Sequence, residues 1–287
     1  MGRGRYPLRV RHVPIILAFL VGGCSAEPQP VRVVSYNVKA LDWTDLQSPS
    51  WPRAVKDEDL LVTLRAIAPD LAGLQETRRQ RDGAAQADEL AAALGLHAWS
   101  VTTTTAFLPW LQENAILSRY DLLERQDVDL GPDPTSAENR HFLYARLQLP
   151  NGAALHVGNV HDFTDAAKQL PALQQIASFL RDRVRAEDHL VWTGDFNFAP
   201  SDEASAPYSY VTRQLSPTVI DPLLRLGVAP AAPEQHTSPA SSPKRRIDFI
   251  FVSPGITVRS YRVITTPVPS TVYPDHLAVC AELEIPP

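Results

Sequence analysis

Apolar residues recur along this chain with two periods, and the period changes several times. Residues 31–36, VRVVSY, form a largely apolar run that predicts a strand ending at Asn37. Residues 57–70, DEDLLVTLRAIAPD, carry apolar positions at helical spacing and are closed by Pro69. LAGLQE, 71–76, predicts a short buried strand ending in an acid. The alanine-rich stretch 84–96 predicts a helix with Gly95 near its end. Strand-like runs follow at 115–118, 121–130, 141–149 and 153–160, with Asn151-Gly152 as a hairpin signal between the last two. Residues 168–184 read as a helix in which Pro171 is tolerable only in the first turn. A strand at 189–193, a proline-spotted loop region over 199–243 and strands near 247–252, 256–264 and 277–284 complete the pattern. Strands interleaved with helices, together with antiparallel hairpins, predict an α/β fold with mixed sheets. No Pro/Gly/Ser-rich linker divides residues 31–287, which are expected to form one domain.

The amino terminus departs from this pattern. MGRGRYPLRVRH holds Arg3, Arg5, Arg9 and Arg11 and no acid, and the apolar run after it is too short for a full membrane span. The stretch LVGGC resembles a bacterial lipobox, which implies cleavage before Cys24 and lipid on its thiol. Residues 1–23 then form a lipoprotein-type signal peptide and 24–30 a short tether. An ordinary secretory signal cut a few residues later is the alternative. On this reading the protein is exported, held on a bacterial membrane through Cys24 facing periplasm or cell exterior, and monomeric. Loss of residues 1–23 removes four arginines and no acid, so the formal charge goes from −5 to −9. An acidic domain argues against tight nucleic-acid binding, which rests on Lys and Arg at phosphates. Apart from Cys24 only Cys280 remains, so no intramolecular disulfide is expected in the lipidated form.

Several apolar strands end in a polar side chain. Asn37 follows VVSY, Glu76 ends LAGLQ, Asn159 and His161 end LHVGNVH, and Asp195 and Asn197 end LVWTGDFN. Asp248 lies within KRRIDFIFV, and Asp275 and His276 precede the last strand. Strand ends are where ligand sites assemble in α/β sheets. Taken singly, each residue has a plainer reading. Asn37 caps a turn, Glu76 begins a helix, His161 or His276 is a surface or hydrogen-bonded histidine, and Asp248 pairs with Arg245 or Arg246. GDFN itself is either a turn or a carboxylate and an amide aimed at one ligand.

Taken as an ordered set, SYNV, LQET, NAILSR, NVHDF, GDFN, RRIDFIFVS and PDHLAV resemble the endonuclease/exonuclease/phosphatase superfamily, the deoxyribonuclease I-like fold, over residues 33–282. The resemblance implies a four-layer α/β sandwich: two mixed sheets face to face, with helices outside. It also implies hydrolysis of a phosphodiester or phosphomonoester by water with Mg²⁺, or Mn²⁺, as cofactor. A hard cation suits oxygen ligands and offsets the phosphate's charge. By resemblance, Glu76 is the main metal ligand, Asn37 binds the metal or its water, and Asp275 serves a second metal position. Asp195 orients or deprotonates the attacking water, and Asn197 holds that water or a phosphate oxygen. His276 stabilises the transition state or acts as general base, with Asp248 on its other ring nitrogen. His161 binds phosphate with Asn159 beside it. Arg140 contacts phosphate, with Arg146 as the fallback, and Asn114 lies near the site. Glu113 is a candidate partner for His161. Gly194 permits the bend that aims Asp195 and Asn197, with Phe196 packing behind.

Three positions depart from the family pattern. Val160 and Asp162 flank His161 where Thr and Leu are usual, and Pro274 replaces the usual Ser before Asp275-His276. No basic recognition helix is evident. Trp43, Trp51, Phe107 and Trp110 either line a pocket, dip into lipid or pad the core. A calcineurin-like phosphoesterase is disfavoured, because Val160 breaks the spacing and no early Asp-x-His occurs. A zinc site is disfavoured by the lack of a Cys pair or of His at i, i+4. The alternatives are a surface-binding lipoprotein that kept the fold without catalysis or, within the family, a nuclease or a sphingomyelinase-like phospholipid phosphodiesterase.

Overall fold

A computed structural model describes residues 1, 26–39, 53–81, 83–104, 110–136, 138–200, 206–265 and 275–287, with 53–57 as backbone only. The signal-type segment with Cys24, and Trp43, Trp51, Phe107 and Pro274, lie outside the described residues.

Two sheets carry the fold. The first has six strands in the order β10-β11-β1-β2-β4-β3 and the second five in the order β5-β6-β7-β8-β9. The first comprises β1 Gln29–Asn37, β2 Leu71–Gln80, β3 His97–Thr102, β4 Trp110–Ser118, β10 Thr257–Val263 and β11 Val279–Ile285. The second comprises β5 Glu124–Pro132, β6 Asn139–Gln148, β7 Ala154–His161, β8 His189–Asp195 and β9 Asp248–Val252. Each sheet has one parallel pair, β1 with β2 and β7 with β8, and every other pairing is antiparallel. A parallel pair needs a long crossover. The chain supplies helix α1, Arg53–Ile67, for the first pair and helix α3, Ala166–Arg181, for the second. Helix α2, Gln86–Leu94, follows β2.

Alternation along the strands builds the layers. Val31 and Val33 of β1 face the second sheet in one core cluster, while Val34 and Tyr36 join Leu60 and Leu64 of α1 in another. A third cluster, with Phe142, Trp192 and Phe251, lies under α3. Both faces of each sheet are thus covered, which is why β1 reads as a continuous apolar run rather than as an alternating one. Each fully buried Val, Leu or Ile contributes about 1.5–3 kcal/mol. The result is the expected four-layer α/β sandwich.

Several boundaries differ from the expectation. β1 begins at Gln29 and β2 runs to Gln80, past Glu76. β4 begins at Trp110, and β3 was not expected at all; its HAWSVT is only half-buried and lacks an apolar run. Helix α3 starts at Ala166, where Asp165 accepts from Ala167 N at 3.0 Å, so Pro171 falls in the second turn and leaves the Ala167 carbonyl without its helical donor. The expected loop region 199–243 contains helix α4, Ala206–Arg213, helix α5, Pro222–Arg225, and a 3₁₀ turn, Pro233–Gln235. Pro207, Pro222 and Pro233 each stand in a first turn, where a missing N–H is harmless. Gly95 closes α2 in the left-handed conformation, φ 68°, as its position suggests. Trp110 packs in the outer core of the first sheet, 5.4 Å from the Arg78 guanidinium, rather than lining a pocket.

Candidate active site

The layer between the sheets changes character along its length. At two-residue spacing, β1 reads Val31, Val33, Ser35, Asn37 and β7 reads Leu155, Val157, Asn159, His161. β8 gives Val191, Thr193, Asp195, and antiparallel β9 gives Val252, Ile250, Asp248. The apolar members share the inter-sheet core. Successive same-face residues therefore carry the layer from hydrocarbon to polar groups at one end.

The transition is stitched across the sheets. Gln75 Nε2 donates to Asn159 Oδ1 at 2.6 Å, while Asn159 Nδ2 donates to the Leu74 and Ala115 carbonyls, both at 2.9 Å. Thr193 Oγ1 donates to the Gly158 carbonyl at 2.9 Å. A Cβ on Gly73 would lie 1.9 Å from Thr193 Oγ1, so glycine is required there for close approach. Asn159, expected beside His161, is thus the tie between sheets beneath the site.

Above this floor, Glu76 sits at an irregularity in the β2–β4 pairing between Leu74 and Thr77, with φ 56°. In a regular strand Gln75 and Glu76 would face opposite sides; the bulge turns both into the inter-sheet space. Glu76 Oε1 accepts from Asn37 Nδ2 at 2.8 Å and Oε2 from Gln112 Nε2 at 2.9 Å. Asn37 Nδ2 also lies 3.0 Å from Asp195 Oδ2, so it presents its nitrogen, not its oxygen, to both carboxylates. Gln112 was not anticipated, although it lies two residues before Asn114 on the same face of β4.

Asp195 ends β8 directly between His161 of β7 and Asp248 of β9. Its Oδ1 accepts from Asn197 N at 3.0 Å, and Asn197 takes the left-handed conformation, φ 55°. Asn197 Nδ2 holds the Asp162 carbonyl at 3.0 Å. The bend is therefore made at Asn197. Gly194 remains in the strand, and it is small because a Cβ would come within 2.5 Å of the Val160 carbonyl oxygen. Phe196 does pack behind, against Trp192 at 5.1 Å between ring centres.

His276 Nδ1 lies 2.9 and 3.1 Å from the two Asp248 oxygens, and its Nε2 is 3.7 Å from Asp195 Oδ2. Asp248 also accepts from Thr237 Oγ1, a residue that no sequence signal marked. Asp248 does not pair with the neighbouring arginines: Arg246 is buried on Asp221, and Arg245 reaches the Asn197 carbonyl. Burial opposes the His276 cation, but Asp248 and Asp195 outweigh it and hold the imidazole up to about 10. Burial, helped by Asp248 and opposed by His276, pushes the Asp195 carboxyl up to about 7.

His161 Nε2 is 3.7 Å from Asp195 Oδ2 and 3.8 Å from Glu76 Oε1. Burial, then the charges of Arg140 and His276, hold it well below the usual histidine range. Its partner is Arg140, whose Nη1 lies 2.7 Å from Nδ1. Glu113 lies instead on the opposite face of the first sheet, the face it shares with Ala115 and Leu117, in an ion pair with Arg79. Arg140 is buried and committed to Asp133, Glu138 and His161, so the structure places it behind His161 rather than open to a phosphate. Arg146 pairs across to His156, away from the site. Asp275 is at the rim, in an ion pair with Lys39 and 3.9 Å from His276 Nε2. Asn114 Nδ2 is buried without a hydrogen-bond partner among the described residues. Asp162 is fully buried with Oδ1 accepting from Phe163 N; burial drives its carboxyl well above the usual range.

Asp195, Asp248 and His276 also place one potential ligand atom each within 4.8 Å of one another. Asp248 and His276 are bonded to each other, however, which leaves them as an acid–imidazole pair. The better fit for a hard cation is the opening at Glu76 and Asp195. There two carboxylates converge on one amide nitrogen, and the donors are oxygens.

A model of the Endonuclease/Exonuclease/phosphatase family matches residues 34–273. No curated protein sequence matches the chain. Among solved structures it is similar to an endonuclease/exonuclease/phosphatase from Bacteroides vulgatus, at 20% identity over 90% of this chain and 99% of that one, TM-score 0.67. It is similar to a mannosyl-6-phosphatase from Bacteroides thetaiotaomicron, at 19% identity over 88% and 99%, TM-score 0.62. It is also similar to the human Nocturnin catalytic domain with bound sulfate, at 19% identity over 89% and 93%, TM-score 0.65. At these identities the likeness is one of fold.

Proposed function

Because the chain belongs to the endonuclease/exonuclease/phosphatase family and carries a phosphoesterase fold, we propose that it hydrolyses a phosphoester with a divalent cation, Mg²⁺ or Mn²⁺. One observation carries the reading. Asp195 stands between the Glu76–Asn37 group on one side and the His276–Asp248 pair on the other, with atoms of both within 3.7 Å. Glu76 would hold the ion, with Asp195 and Asn37 beside it. When bound, the ion neutralises phosphate charge and polarises a phosphoryl oxygen.

The residues divide the remaining work. Asp195 orients the attacking water and takes its proton as the new P–O bond forms and the P–O bond to the leaving alcohol breaks, the departing oxygen taking up a proton from solvent; a carboxyl held near neutrality is suited to this at neutral pH. His276, cationic and kept in place by Asp248, presents Nε2–H to the oxygen that gains charge. His161 Nε2–H and Asn114 Nδ2 donate to the other phosphate oxygens, and the Asn114 donor is buried with no other partner among the described residues.

The test is hydrolysis of bis-p-nitrophenyl phosphate and p-nitrophenyl phosphate by purified 25–287, followed by DNA, RNA, sphingomyelin, inositol phosphates and nucleotides. Turnover should fall to background in EDTA and return with Mg²⁺ or Mn²⁺. Absence of any EDTA-sensitive turnover on the whole panel would replace the enzyme by a binding protein of the same fold.

A further inference from the structure

His161 is approached from behind by a guanidinium whose donors are nearly all engaged. Arg140 Nε and Nη2 lie 2.8 and 2.6 Å from Asp133 Oδ2, and Nη1 lies 3.1 Å from Glu138 Oε2 and 2.7 Å from His161 Nδ1. These four contacts take up most of the donors a guanidinium offers, and it has no acceptor. Nδ1 must therefore accept, and the proton of the neutral ring sits on Nε2. That nitrogen faces Asp195 and Glu76.

The surroundings hold Arg140 rigidly. Asp133 Oδ1 accepts from Thr135 N at 2.8 Å and from its hydroxyl at 2.7 Å, and Asp133 N donates to the Glu138 carbonyl at 2.9 Å. The turn between β5 and β6 thus closes on itself around the guanidinium. Asp133, Glu138 and Arg140 are all buried. Two carboxylates offset the arginine's charge, so what reaches the cleft is a directed N–H on a neutral ring.

We propose that Arg140 is a positioning residue that acts through His161, selecting the tautomer with hydrogen on Nε2 and fixing the ring so that it donates to a phosphoester oxygen. This rests on the phosphoester reading above. Without Arg140 either ring nitrogen carries the proton. The tautomer with hydrogen on Nδ1 then turns a lone pair toward an anionic oxygen and repels it.

Two arms test the proposal. In the first, metal-free protein with ¹⁵N-labelled histidine is kept in EDTA, and His161 is identified by its loss in His161→Gln. Nδ1 should be unprotonated and Nε2 protonated in the parent. The signature should be lost in Arg140→Met combined with Asp133→Asn and Glu138→Gln, which leaves no unpaired buried carboxylate. In the second arm, hydrolysis of bis-p-nitrophenyl phosphate, the same triple variant should lower kcat by about 10–100-fold with little change in KM. Added to His161→Gln it should change kcat by less than about twofold. Arg140→Lys, which keeps a donor, should retain more activity. A protonated Nδ1 in the parent overturns the proposal, as do losses at Arg140 and His161 that multiply, because these make Arg140 a direct substrate contact. The spectroscopic arm needs no turnover, so a chain inactive on every phosphoester sinks the proposed function while the tautomer is still measured.

Discussion

At one end of the layer between the sheets, Val31, Val33, Leu71, Leu155 and Ile285 meet; at the other stand Asn37, Glu76, His161, Asp195 and Asp248. β1, β2 and β7 supply both ends: Val33 and Asn37 are four residues apart, Leu71 and Glu76 five, and Leu155 and His161 six. The apolar end asks only that volume be filled, and its contribution is non-directional. The polar end asks that each group meet a partner, and it brings carboxylates together out of water, which costs free energy. The contrast shows a division of labour: the hydrocarbon end holds the sheets close enough for the other end to keep mutually repelling groups in place.

The sharpest break of that contrast is Asp195→Asn. Loss of the group proposed to activate the water should lower kcat by about 10²–10⁴-fold, while removal of a buried carboxyl held far above its usual range should leave the thermal midpoint equal or higher. Retention of most activity would show that Asp195 does not activate the water. Leu155→Ala inverts the pattern. It should reduce unfolding free energy in urea by about 2–5 kcal/mol and leave kcat per folded molecule unchanged; a fall in kcat would show the two ends are not separable. Gly73→Ala probes the seam between them. Its Cβ meets Thr193 Oγ1, so the sheets must part. A loss of about 1–3 kcal/mol in stability, accompanied by reduced kcat, is expected, and a neutral outcome would refute the close-approach role.

The smallest effect is that of pH. The proposed mechanism needs Asp195 as carboxylate and His276 as imidazolium, so kcat/KM should rise through an acid limb at or below about 7, because a bound cation would draw the carboxyl down, and fall through an alkaline limb near 10. A rate profile that stays level across both limbs would contradict the assignment. Stability follows a different sign for each group. Asp195 binds its proton more tightly when folded, so its contribution declines as pH rises from 3.8 to about 7. That of His276 is complete below 6.5 and is lost as pH rises through about 10.

How much of this was legible in the sequence depended on whether a local rule applied. Asn37, His161, Asp195 and Asp248 stand where apolar runs stop, and a period of two put them on one face. Glu76 was marked, but its direction was not, because the bulge that turns it inward leaves no trace in LAGLQE. The choice of Arg140 over Glu113 as partner of His161 was partly readable: Glu113 shares the outward face of its strand with Ala115 and Leu117. Thr237 and Gln112 were missed because they act only through contacts between distant segments. The helices within 199–243 are hidden by their prolines, which look like loop residues but stand at first turns, where proline starts a helix.

The His276–Asp248 bond has a consequence for timing. Among the described strands β1 comes first in the chain, and its antiparallel neighbour β11, which begins three residues after His276, comes last. The first sheet therefore stays open between β1 and β10 until synthesis has passed β11, and pairing across so long a separation is slow. On the proposed mechanism, a nascent chain that has not seated β11 holds Glu76, Asp195 and Asp248 without the imidazolium beside Asp248, so its turnover should begin only when the closing strand seats.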